Sequence, residues 1–193
     1  MPSAKLSSDT LPPRERILVA AHALFYQEGI RATGVDKIIE QASVSKVTFY
    51  RQYPSKDELI RAYLDYRHQG WIFLFKGSLE HESRDGASAT EALIRTLRGW
   101  FSQTHFRGCA FLNAAAELGS TDPGILEVVR QHKKEMACVL DELFNSHAET
   151  AGQSLSLAVD GAIVHVQMGQ PLEEVLGNLR VVVESLVARK GCV

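Results

Sequence analysis

Several things are scarce in this chain, and each scarcity removes a class of answer. Cysteine occurs three times in 193 residues, at Cys109, Cys138 and Cys192. That odd number, without a CxxC pair, excludes a disulfide framework and fits a reducing compartment. No apolar run approaches the roughly 20 residues that cross a bilayer, so no membrane partner is expected. The opening MPSAKLSSDTLPPRER has no apolar h-region and does not read as a secretory signal; residues 1–12 are expected to be a disordered arm. A strong excess of one charge is also missing, with 21 Lys and Arg against 23 Asp and Glu. Residues 1–60 hold 8 basic and 7 acidic side chains and the remainder 13 and 16, so charge balance neither supports nor excludes nucleic acid. Catalytic signatures are absent too: there is no Gly-rich phosphate loop, no Ser elbow, no HExxH and no pair of carboxylates on a common face. The seven histidines are scattered, and only His105 with Cys109 makes a close pair of metal-ligand type. Zinc needs three or four converging ligands, so no metal and no cofactor are expected.

What is present is helical periodicity from end to end. Arg14 to Glu28 carries Ile17, Ala20, Ala21, Leu24 and Phe25 on one face, opened by Pro13 and closed by Gly29. Pro54, Ser55 and Glu58 mark the start of a long helix that runs from Asp57 to about Leu79, with Gly70 and Gly77 as weak points. Further helices are expected over 90–104, 110–118, 125–147 and 155–168, and a last one after Pro171. With 45% hydrophobic residues the chain can bury one good core, or a small module and a larger domain. No strand pattern competes, so the fold class is all-α. The expected division is an arm at 1–12, a head at 13–56 and a body at 57–190.

Thr33 to Glu58 is the most informative stretch. Val35, Ile38, Ile39 and Ala42 share a helical face, Ser43-Val44-Ser45 interrupts it, and Ser45 can cap a second short helix over 46–52. That second helix is too short for a full apolar stripe, and its outward Lys, Thr, Tyr, Arg and Gln suit a DNA groove. Three helices in the first 53 residues, the last two tightly joined, read as a helix-turn-helix head with the motif over about 34–53.

The run RERILVAAHALFYQEGIRATGVDKIIEQASVSKVTFYRQYPSKDELI resembles the DNA-binding head of the TetR (tetracycline-repressor-like) family of bacterial transcription regulators. Phe25 with Gly29, Thr33, Ile38 with Ala42, Val44-Ser45, and Thr48-Phe49-Tyr50 through Leu59 carry the likeness. Val47 stands where the family usually has Gly or a polar residue, so sequence preference does not transfer there. RGCAFLNAAAEL, Arg107 to Leu118, is similar to a GC-x-hydrophobic-N-x-x-x-E element of one branch. The resemblance implies a bacterial, cytoplasmic homodimer on double-stranded DNA, with a small-molecule site in the body and a four-helix interface from the last two helices of each copy. It implies a repressor rather than an enzyme.

The candidate DNA-facing residues are Lys46, Val47, Thr48, Tyr50 and Arg51, with Phe49 turned into the head. Arg51 suits a bidentate contact to guanine, and Val47 or the Thr48 methyl a thymine methyl. Thr33 and Lys56 lie at helix N-termini, where phosphate is favoured, and match family positions that contact the backbone. Trp71, Phe75, Trp100, Phe101, Phe111 and Met136 are the candidate walls of a cavity for a hydrophobic or aromatic effector. Cys109, Glu117 and His165 are its polar candidates. Leu155, Ala158, Ala162, Val175, Leu179, Val182 and Leu186 are the candidate dimer interface, because the final two helices are apolar on more than one side. The competing readings are a Cys-dependent enzyme or a redox or electrophile sensor centred on Cys109, and an interaction module whose helix-turn-helix no longer binds DNA. The enzyme reading lacks an oriented third group.

Overall fold

The computed structural model describes residues 11–84, 86–145 and 151–188. The expected arm therefore lies almost wholly outside the described residues, as does Cys192. Among them there are nine helices and no strand: α1 Pro13–Glu28, α2 Val35–Gln41, α3 Lys46–Gln52, α4 Lys56–Arg84, α5 Ala89–Phe101, α6 Ala110–Leu118, α7 Pro123–Leu143, α8 Ala151–Gln167 and α9 Leu172–Ala188.

The boundaries follow local chemistry. Proline stands at the first position of α1 and α7, where its missing N–H is not needed. The side chains of Ser45, Ser88 and Asp122 accept from the first turns of α3, α5 and α7. Ser55 does the same for α4, accepting from the Glu58 N–H at 3.1 Å. Helix α4 runs unbroken through Gly70 and Gly77 and ends five residues beyond the expected Leu79. Neither glycine is pressed by a neighbour, and packing on both sides of the helix outweighs their low propensity.

The head is closed by side chains from four helices. Ile17, Ala21, Leu24 and Phe25 of α1 meet Ile38 of α2, Phe49 of α3 and Leu59, Ile60 and Tyr63 of α4, all buried. Phe49 is fully enclosed, as its place in the sequence pattern requires. From the head, α4 continues into the body, where it packs on α5, α6 and α7. Helix α7 in turn packs on α6 and α8, α8 on α9, and α9 returns to α5.

The last two helices correct one expectation. Leu155, Ala162, Val175 and Leu179 are at most 6% exposed within the single chain. They are core, not a free interface, and Ala158 and Leu186 are half-buried. Of the seven expected interface residues, only Val182 stands out in the open, 45% exposed. The strongest apolar stripe was claimed by the chain's own core. A second stripe is left outside: Leu157 and Val164 on α8, Met168 in the turn just after it, and Val181 on α9. Gly161 and Gly177 extend that open face without side chains.

Candidate nucleic-acid interface

Helix α3 is one ridge mounted on the head's core. The Thr48 N–H donates to Ser45 Oγ at 3.1 Å, and the two hydroxyls lie 2.9 Å apart, fixing the entry of the helix. With Phe49 locked inward, Lys46, Val47, Tyr50 and Arg51 are all turned to solvent. Val47 is 78% exposed. Lys46 makes only a loose exposed pair with Asp36 at 3.4 Å, and Arg51 has no acidic partner among the described residues. Thr48 is half-buried, and its hydroxyl is directed back to the cap. A seven-residue helix is about 10 Å long and fits a major groove about 12 Å wide.

Two expected phosphate contacts are placed otherwise. The Thr33 side chain is fully buried and donates to the Gly29 carbonyl at 2.7 Å, while Gly34 caps α2 without a side-chain bond. Lys56 Nζ donates to the Ile30 carbonyl at 2.6 Å and lies 5.8 Å from the centre of the Phe25 ring. Desolvation holds its ammonium below the ordinary lysine range, with the Glu117 and Asp57 charges opposing. Both residues lock the corner between α1 and α2, where Gly29 adopts φ 95°.

The body grips the same corner. Glu117 of α6 accepts from the Arg31 N–H at 2.7 Å, so it is a head contact and does not line an effector cavity. The Tyr26 hydroxyl donates to the Gly108 carbonyl at 3.0 Å and accepts from the Arg107 N–H at 3.1 Å. Gln27 reaches the His105 carbonyl at 3.2 Å. Asn113 steadies this loop through the Arg107 carbonyl at 2.9 Å, and Cys109 is the N-cap of α6. The run from Arg107 to Glu117 was visible in the sequence as a motif. That it faces the head was not.

A groove of about 660 Å³ opens between α4 and α5. Three expected residues line it together: Trp71 stacks on Phe75 at 4.6 Å between ring centres, and Trp100 meets Trp71 edge-on at 5.4 Å. Arg67 and His22, neither singled out in the sequence, form its end nearest the head. The His22 pKa is lowered to about 4, first by burial and then by the Arg67 charge. Phe101, Cys109, Phe111 and Met136 do not line this groove; each is at most 5% exposed. Phe111 is stacked on His132 at 3.6 Å, and Met136 is sealed in the core. His165 is exposed on α8, bonded to Gln170 at 2.7 Å, and reaches no cavity. A second hollow of about 560 Å³ lies between the far ends of α4 and α7, but its lining mixes Lys76, Glu80, Arg84 and Glu142 with three aliphatic residues and gathers no aromatic ring.

The thiol of Cys109 is covered, and Lys133 Nζ lies 3.5 Å from it. That ammonium is already paired with Asp160, whose carboxyl is itself pushed up by burial ahead of the opposing Lys133 charge. Neither His105 nor His165 bonds to the thiol. No triad-like arrangement surrounds Cys109 among the described residues. Nor do three or more His, Cys, Asp or Glu side chains there form a group able to hold a metal ion. No described helix is long and apolar enough to cross a membrane.

Known proteins carry the same arrangement. The sequence profile of bacterial regulatory proteins of the tetR family matches residues 17–63, which are α1 to α3 and the first turns of α4. The HTH-type transcriptional regulator LmrA of Bacillus subtilis is 25% identical over 158 residues, 78% of this chain and 84% of its own. The fold also matches the reduced form of NemR from Escherichia coli, with a TM-score of 0.74 at 20% identity over 90% of this chain and 97% of that one. A TetR-family transcriptional regulator from Streptomyces coelicolor superposes with a TM-score of 0.74 at 30% identity, covering 92% of this chain and 95% of that one. With the capped ridge of α3 in place and that likeness extending across head and body alike, the chain belongs to the TetR family of helix-turn-helix, DNA-binding transcriptional regulators.

Proposed function

We propose that this regulator is a ligand-released repressor that occupies a palindromic operator as a homodimer. The observation that carries the reading is the continuity of α4. One 29-residue helix holds Leu59 and Tyr63 in the head's core and, two to three turns later, Trp71 and Phe75 in the aromatic groove. A ligand that widens the groove must move α4 against α5, and α4 carries the head. The division into a head at 13–56 and a body at 57–190 then reflects duties within one helix rather than a gap between two units.

Two heads on one palindrome need half-sites about one helical turn apart. The open stripe of Leu157, Val164, Met168 and Val181 supplies the face on which a second copy would pack, and the two glycines on it permit close approach. The effector works only by binding the DNA-incompetent arrangement more tightly, a coupling of typically about 1–3 kcal/mol.

Gel shift of the full chain on DNA from its own upstream region tests the reading. A retarded band with two copies per site, dissolved by a hydrophobic aromatic compound that also quenches Trp71 and Trp100, is expected. A band that such bound compounds leave unchanged refutes ligand release, and a single copy at half-site spacing refutes the homodimer.

A further inference from the structure

The charges around the α4–α5 groove are unevenly matched. At the end remote from the head, Arg95 is paired with Glu91 at 2.9 Å and with Glu82 at 3.6 Å. At the end near the head, Arg67 has only neutral company. Its guanidinium lies over the Tyr26 ring at 4.0 Å, and one nitrogen donates to His22 Nε2 at 3.3 Å. Among the described residues no carboxylate pairs with it. The guanidinium's planar fork is suited to a carboxylate.

Arg67, Trp71 and Phe75 follow at four-residue spacing and share one face of α4, all lining the groove. Eight residues of helix span about 12 Å, the length of a carboxylate followed by two joined rings. Gly70 lies along the same wall, and no atom comes within 4 Å of where its Cβ would stand, so the approach to Arg67 is open.

We propose that this groove takes a flat aromatic acid, its rings on Trp71, Phe75 and Trp100 and its anionic group on Arg67. The proposal rests on the reading of the groove as the effector site and adds the chemical class of the effector.

Calorimetric titration of the full chain with 2-naphthoate and with its neutral isostere 2-naphthamide tests it. The chain's only two tryptophans, Trp71 and Trp100, both line the groove, so their fluorescence reports occupancy independently. Naphthoate is expected to bind at least tenfold more tightly than the amide. Arg67→Gln should erase that preference, and Trp100→Ala should weaken both. Equal affinities in wild type, no binding of either compound up to its solubility limit, or a preference that survives in folded Arg67→Gln would each overturn the proposal. The wild-type comparison needs no variant to fold. Parallel gel shifts separate the two readings: naphthoate that binds through Arg67 but leaves the operator complex intact removes ligand release and leaves the ligand class standing.

Discussion

At the scale of single residues, the decisive facts are which polar atoms are already committed. Lys56 is the clearest case, since its ammonium is spent on the Ile30 carbonyl. Lys56→Met should therefore lower stability by about 1.5–3 kcal/mol, the range for a bond to a charged donor. The slope of log affinity against log salt should stay at the wild-type value; a phosphate-binding lysine would flatten it by about one unit. Ser43 sits in the turn between α2 and α3 at φ 51°, a left-handed conformation that glycine adopts freely and serine does not. Ser43→Gly should raise the urea-denaturation free energy by about 1 kcal/mol without changing the operator. His132 is the third case. Enclosed by Phe111, Trp71 and His68, with Lys133 and Arg67 nearby and Glu135 bonded to His68, its pKa is lowered to about 2, chiefly by burial. It stays neutral when folded and takes a proton when unfolded below its ordinary value of 6.5. Its contribution is thus complete above pH 6.5 and is lost progressively as pH falls below that value. Unfolding should be accompanied by proton uptake, and His132→Gln should reduce it by roughly a quarter of a proton per chain at pH 7, rising to close to one proton at pH 5.

At the scale of elements, the sequence was most legible where local rules act alone. Proline at N1, Ser45 as a cap and the alternation of Ile38, Ala42 and Phe49 place α1 to α3 within a residue of their observed limits. The exposed ridge of α3 could be named because one buried residue in so short a helix fixes the direction of all the others. Arg51→Ala should cost about 1–3 kcal/mol of operator affinity and relax preference at a single base pair, measured by competition with base-substituted sites. Legibility fell where two elements compete for one side chain. Leu155 and Val175 are as apolar as Leu157 and Val181, and nothing in the periodicity tells which pair faces inward until α5 and α7 take their places. Thr33 illustrates the same limit, since capping from outside and bonding to Gly29 from inside require the same residue type. Glu117 and Arg67 depend on contacts across 86 and 45 positions of chain, which no local pattern encodes.

At the scale of the whole molecule, the open stripe on α8 and α9 has to be accounted for. Leu157 and Val181 are 73% and 62% exposed, and the proposed homodimer buries them against a second copy. Leu157→Glu combined with Val181→Glu should leave helicity and thermal unfolding near wild type at low concentration. It should halve the mass measured by light scattering and abolish operator binding at concentrations where wild type is saturated. Retained dimer mass in that double variant would place the interface elsewhere.

Helix α4 has one more property, and it is purely mechanical. Its 29 residues extend for roughly 44 Å at 1.5 Å each. A rod of that length, pivoting by about 5° at the end far from the DNA, carries its other tip through roughly 4 Å, more than the spacing between successive base pairs along the duplex axis. A change at Trp71 and Phe75 too small to disturb any helix of the body would suffice to take α3 out of register. The groove has no need to unfold anything, because the distance along α4 already supplies the gain.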